Sequence, residues 1–336
     1  MKTMIAVAVG MVSLASSFSA LSAQEINIYS YRQAFLVDPV VAQFEKDTGI
    51  NVNVVFAKKG LSERLKREGK HTKADLVLTT DISRLMELKD KGLVAAVDNK
   101  IIEANVPAHL RDPQDNWFAL TMRVRNIYSS KERVGNTEVS YEDLAGDEYK
   151  GKICTRSGKH PYNVALVSSM IAHHGEAETE TWLTKVKANL ARKPQGNDRG
   201  QIKAIAAGQC DVALGNSYYF GKMLTNPEQK PAADKVNILF PNQKGRGAHV
   251  NVSGMALTKY APNKADAVKL MEYLTGDLAQ GIYAKVNLEY PVNPSVEVSP
   301  LVASWGEFKA DKLPMDGIAK HRKQALMLID KVKFDL

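Results

Sequence analysis

Residues 26–31 alternate apolar and polar side chains with the two-residue period of a strand, and residues 51–57 and 74–80 add two more short, β-branched or apolar strands. Between the first two, Asp38-Pro39 predicts a helix start, with Val40, Val41 and Phe44 on its buried face and Gly49 ending it. Residues 61–68 read as a short helix, and Asp81 is placed to cap another over 82–90. Strands that alternate with helices in this way predict an α/β layer with parallel pairing.

A second unit follows Trp117. Residues 121–130 are extended, 152–156 form a strand and 161–174 a helix. Helices are expected at 178–190 and 200–207, a strand at 211–214, a helix from about Ser217 and a strand at 236–240. The run 249–257 is extended again, and helices over 264–274, 278–284 and 315–332 complete the pattern. A chain that builds one α/β body, crosses to a second and returns should use its two long extended runs as the crossings. The expected organisation is therefore two lobes with a ligand cleft between them. The first comprises 24–122 plus 258–336, the second 131–248, and the crossing strands are 123–130 and 249–257.

Residues 1–23 change the picture by adding a compartment. Lys2 precedes an almost uncharged stretch over 4–20, and small residues lead to Ala20 and Ala23, where cleavage of an export signal is expected. Outside the cytoplasm, Cys154 and Cys210 can form a disulfide or remain two buried thiols, and a bridge requires their strands to be neighbours. A length of 336 residues with 44% hydrophobic side chains suits two domains. The formal charge of +8 is spread among acidic residues with no nucleic-acid motif, so a soluble monomer with no nucleic-acid partner is expected.

Candidate chemistry centres on two tyrosine motifs. Tyr162 follows Cys154 by eight residues, and Tyr218-Tyr219 begins eight residues after Cys210. Each motif comes just after a strand, in the first turn of the next helix, and open parallel sheets gather ligands beyond the carboxyl ends of their strands. Free phenols ionise near pH ~10, so three phenolates in one cleft require a strongly positive partner such as a ferric ion, a hard cation that prefers oxygen donors. On spacing alone, packing or decoration of the rim is the usual role of a tandem tyrosine pair at a helix start.

Several runs carry a more specific signal. Asn27-Ile-Tyr-Ser-Tyr-Arg-Gln, Ala74-Asp-Leu-Val-Leu-Thr-Thr-Asp, Lys152-Ile-Cys-Thr-Arg-Ser-Gly, Ala191-Arg-Lys-Pro-Gln-Gly-Asn-Asp-Arg and Gly215-Asn-Ser-Tyr-Tyr-Phe-Gly-Lys resemble the bacterial periplasmic ferric-ion-binding proteins, from about Glu25 to Leu336. The resemblance implies a type II periplasmic binding protein of the α/β class. It implies Fe(3+) held by Tyr162, Tyr218 and Tyr219, with carbonate or a similar synergistic anion, and delivery to an inner-membrane ABC importer permease. Candidates to hold the anion are Arg32, Gln33 and Arg123, because a guanidinium fork matches a planar oxyanion. Several members carry a further His or Tyr ligand where this chain has Ala34, and Tyr31 is the additional residue that can face the cleft. Arg125 and Arg156 are expected as hinge or surface ion-pair partners. His160 is a candidate neighbour of Tyr162.

Two rival readings remain. The same fold with a small organic anion or phosphate ester as cargo is the first, since fold alone does not name a ligand. An enzyme is not expected: Gly146-Asp-Glu-Tyr-Lys-Gly-Lys-Ile has Ile153 where a phosphate-binding loop needs a hydroxyl, and it precedes a strand instead of following one.

Overall fold

The computed structural model describes residues 24–336, so the export signal expected at 1–23 lies outside the described residues. Ten strands are present among the described residues: β1 (Glu25–Ser30), β2 (Asn51–Phe56), β3 (Leu76–Thr79), β4 (Val94–Ala95), β5 (Phe118–Ser130), β6 (Ile153–Cys154), β7 (Val212–Asn216), β8 (Val236–Leu239), β9 (Val250–Thr258) and β10 (Tyr290–Pro291). Seven of them run in the order β2-β1-β3-β9-β5-β7-β6, while β8 and β10 also pair with β5 and β4 pairs with β9. β1 pairs in parallel with β2 and β3, as the strand-helix alternation predicts, and β6 pairs in parallel with β7. β9 inserts antiparallel between β3 and β5.

The long strand β5 belongs to both halves of the molecule. Its first half, through Val124, pairs with β9, and from Arg125 onward it pairs with β7 and, over Ile127 to Ser130, with β8. Where the β5–β9 ladder ends, the Tyr141 hydroxyl donates to the Arg125 carbonyl at 2.6 Å and accepts from the His249 amide at 3.1 Å. One side chain thus bridges the two crossing strands. β3 and β7 are buried on both faces, which suits apolar strands covered by helices on either side.

Apolar burial forms separate cores. Ile26, Ile28, Phe44 and Leu76 belong to the first, and Ile127, Val164, Leu183 and Val212 to the second. The end of the chain departs from the expected lobe boundaries. A single helix over 315–332 is expected, but the chain breaks into Met315–Ala319 and Arg322–Lys331. Met315 and Ile318 lie in the first core, whereas Ala325, Leu328, Ile329 and Phe334 lie in the second. The chain therefore passes between the cores a third time, near Lys320 and His321, and the last part of 258–336 packs with the second lobe. Helical periodicity specifies a buried face but not the core that covers it.

The first helix also differs from expectation. It runs Ala34–Thr48, a full turn longer than Asp38-Pro39 suggests, with Pro39 inside it and Gln33 at its N-cap. Pro39 is beyond the first turn, so it leaves the Phe35 carbonyl without its intrahelical donor. The earlier start brings Gln33 and the helix N-terminus to the cleft.

Candidate functional site

Both tyrosine motifs sit where extended backbone turns into helix. Pro161 occupies the first turn of the helix Pro161–His174, and the His160 ring caps it, Nδ1 accepting from the Tyr162 amide at 3.3 Å. Burial, and then the charge of Arg156, lower the His160 pKa to about 3, so the ring is neutral and free to accept. In the second motif β7 runs straight into the helix Ser217–Leu224. Asn216 holds the cap position but does not cap, because its side-chain oxygen accepts from Arg125 at 3.0 Å. Gly215 must lack a side chain, since a Cβ there would collide with the ring of Tyr128.

One buried carboxylate joins the two turns. Asp198 accepts from Arg125 at 2.6 Å, from the Asn216 amide at 2.9 Å, and from Arg156. Arg125 also donates to the Asn163 side chain at 2.7 Å, one residue beyond Tyr162. Burial alone would raise the Asp198 pKa, but Arg125 and then Arg156 outweigh it and hold it below the ordinary carboxylate value. Arg125 and Arg156 are thus ion-pair partners, within a buried frame rather than on the surface. Cys154 and Cys210 are bridged, with Cα atoms 5.9 Å apart, and β6 and β7 are neighbours.

The frame brings the phenols together. The hydroxyl oxygens of Tyr162 and Tyr218 are 3.1 Å apart, and the rings of Tyr218 and Tyr219 are 4.2 Å apart. All three tyrosines line one cavity of about 140 Å³, together with Tyr31, Arg32, Gln33, Arg123 and Arg199. A larger surface groove of about 620 Å³ shares Tyr31 but none of the other candidate ligands. The chemistry therefore assigns the smaller cavity as the site. Guanidinium groups surround the phenols: Arg156, Arg123 and Arg125 lie 5.3, 5.7 and 5.9 Å from the Tyr162 ring, and Arg199 lies 5.6 Å from that of Tyr219. Burial, followed by the neighbouring phenols, nevertheless raises Tyr218 well above the ordinary phenol pKa, and burial with the Tyr162 charge raises Tyr219. Without a cation the pair stays protonated.

The remaining candidates divide. Arg123 lines the cavity and donates to the Thr80 carbonyl, while its Nε has no partner. Gln33 is exposed at the cavity edge. Arg32 is buried and largely engaged, donating to Glu289 at 2.7 Å, to Thr121 at 3.2 Å and to Ser253, with only Nε left over. The Tyr31 ring borders the cavity, stacked 3.9 Å from the Arg84 guanidinium carbon, but its hydroxyl accepts from the Ser62 amide at 3.0 Å. Ala34 opens the first helix and supplies no donor side chain. Sequence reasoning did not single out Asp198, Arg199 or Glu289. For Arg199 the signal was its place beside the Asn197 cap. For Asp198 and Glu289 nothing local distinguishes them from surface acids.

The chain as a whole is matched by known proteins. Residues 71–309 match the family model of bacterial extracellular solute-binding proteins. The chain belongs to this family. Iron uptake protein A1 of Synechocystis sp. is 43% identical over 297 residues, covering 87% of this chain and 82% of the relative. Apo ferric ion-binding protein A of Pasteurella haemolytica superposes with a TM-score of 0.89 at 52% identity, covering 94% of this chain and 99% of the other. The Trichodesmium protein IdiA (FutA), solved with iron and citrate ligands, superposes at 0.88 with 39% identity, covering 92% and 99%. With these relatives and the strand order above, the solute-binding protein has the type II periplasmic binding-protein fold.

Proposed function

We propose that this solute-binding protein carries ferric ion in the periplasm. The cargo is held by the phenolates of Tyr162, Tyr218 and Tyr219 with a small synergistic anion, and is handed to the permease of an inner-membrane ABC importer. The observation that carries this reading is the 3.1 Å approach of the Tyr162 and Tyr218 hydroxyl oxygens inside a cationic cavity shared with Tyr219. A cavity of about 140 Å³ suits an ion and a small anion better than the ~300–1,000 Å³ pockets that enclose larger organic ligands. Among the described residues no group of three or more His, Cys, Asp or Glu is arranged to hold a metal, which leaves the tyrosine oxygens as the donors. Three phenolates neutralise a trivalent ion, and Asp198 and Glu289 offset part of the arginine charge, so the positive charge left over, that of Arg123 and Arg199 above all, calls for an anion. Arg123 and Gln33 hold it, with Arg32 contributing through its free Nε and the field of its guanidinium. Carbonate fits this two-point recognition, and citrate accompanies iron in the Trichodesmium relative.

Loading the apo protein with ferric ion should produce a visible phenolate-to-iron absorption band that gains intensity when bicarbonate or citrate is supplied. A colourless protein under all three conditions would end this reading. Binding should also weaken in acid. Tyr218 and Tyr219 are protonated at neutral pH, their pKa values raised by burial, so each phenolate formed releases a proton to solvent. Raising the pH therefore favours the metal, and the logarithm of affinity should climb by up to about three per pH unit for three phenols. Competition titrations against a chelator of known pH dependence measure the slope, and a flat profile contradicts phenolate ligation.

A further inference from the structure

The geometry points to Asp335 as a positioning residue for Tyr162, acting through the loop Ser157 to His160 that leads into the tyrosine's helix. This inference rests on the ferric-site reading above. The helix Arg322–Lys331 already packs on the second core through Ala325, Leu328 and Ile329. Beyond it Lys333 adopts a left-handed conformation, φ 53°, which turns Phe334 and Asp335 onto the loop. The Asp335 carboxylate accepts from the Ser157 hydroxyl and from the Gly158 amide, both at 2.6 Å, and more distantly from the Lys159 amide at 3.5 Å. Phe334 lies so close to Gly158 that a Cβ there would come within 2.7 Å of its ring.

The other face of the same loop is tied to the site. Asn163 donates to the carbonyls of Arg156 and Ser157 at 3.0 and 3.1 Å, and its own oxygen accepts from Arg125. The His160 amide donates to the Ser157 carbonyl at 3.1 Å, and the His160 ring caps the Tyr162 amide. A short path of hydrogen bonds therefore runs from Asp335 through Ser157 and His160 to the backbone of Tyr162. Tyr218 and Tyr219 belong to a different strand-helix unit that Asp335 does not touch. Freeing the loop moves one phenol relative to the other two, and a displacement of about 1 Å degrades a preorganised site.

The test compares Asp335→Ala, Asp335→Asn and Ser157→Ala with the wild-type full chain, each loaded with ferric ion and bicarbonate. The readouts are the position of the visible band, affinity by chelator competition, and the unfolding temperature of the apo form. Asp335→Ala should shift or broaden the band and weaken binding about ten-fold, the lower end of what supporting partners of metal ligands contribute. Asp335→Asn, which keeps one acceptor oxygen, should lie between it and wild type. Ser157→Ala, which removes the hydroxyl's bond to Asp335 and the one it accepts from the Lys159 amide at 3.2 Å but leaves the Asp335–Gly158 bond, should move the band the same way by less, and it keeps the question answerable if Asp335→Ala does not fold. An unchanged band and affinity in the folded variants, even with a lowered unfolding temperature, would overturn the proposal and leave Asp335 a structural residue. A wild-type protein without the band would instead overturn the ferric reading itself.

Discussion

Replacing Tyr218 and Tyr219 together by phenylalanine should remove most of the visible band of the ferric-loaded protein, leaving at most the contribution of Tyr162. Binding should weaken by more than the ~10–100-fold associated with losing an outer-shell partner, because two direct donors disappear. The substitution is mild for the fold. Both rings remain available for their mutual packing at 4.2 Å, and two hydroxyls whose ionisation burial opposes are removed. The cationic surround would also remain, so the variant separates the phenolates from the general field of the cleft. Chelator competition measures the affinity, and circular dichroism checks that the apo variant is folded. A variant that keeps the full band and affinity would place the iron on donors other than Tyr218 and Tyr219 and refute their assignment.

The second large effect is expected away from the cavity surface. Asp198→Asn should destabilise the protein by about 3–5 kcal/mol, the usual consequence of removing one partner from a buried ion pair and stranding the other charge. Here two guanidinium groups are stranded at once, Arg125 being buried and Arg156 nearly so. Asparagine can still accept from one arginine, but it cannot balance their charge. Denaturant unfolding of both proteins gives the difference, and a loss below about 1 kcal/mol would show that the site tolerates the uncompensated arginines. The acid dependence follows from the depressed Asp198 pKa. Its contribution is present above the ordinary unfolded carboxylate value of ~3.9 and is lost as pH falls through the lower folded value, so the variant should lack that part of the acid transition. Because Asp198 also receives the Asn216 amide and Arg125 reaches Asn163, the substitution loosens both tyrosine turns, and ferric affinity should fall with stability.

Much of the architecture was legible because each element carries its own period. The alternation of Ile26, Ile28 and their neighbours, followed at once by a helical stretch, is enough to predict parallel pairing of β1 with β2 and β3. The tyrosine turns were legible for a similar reason: Pro161 and the Asn216-Ser217 pair mark helix starts, the first after the loop 155–160 that follows β6 and the second directly after β7. What was hidden depends on long-range partners. Asp198 is separated by 42 residues from Arg156 and by 73 from Arg125, and Arg32 by 257 from Glu289, so no local pattern distinguishes these acids from solvated ones. Strand alternation left the direction of Tyr31 open, and the Ser62 amide decides it by engaging the hydroxyl. The third passage of the chain was hidden because Leu328 and Ile329 would suit either core equally well.

The Tyr141 hydroxyl, shared between the Arg125 carbonyl and the His249 amide, has a mechanical consequence. Sliding either crossing strand along the other would tear one of these two bonds while straining the second, whereas a twist centred on the phenol keeps both. If the two cores move relative to one another, these bonds favour rotation about a pivot and make shear the costlier route.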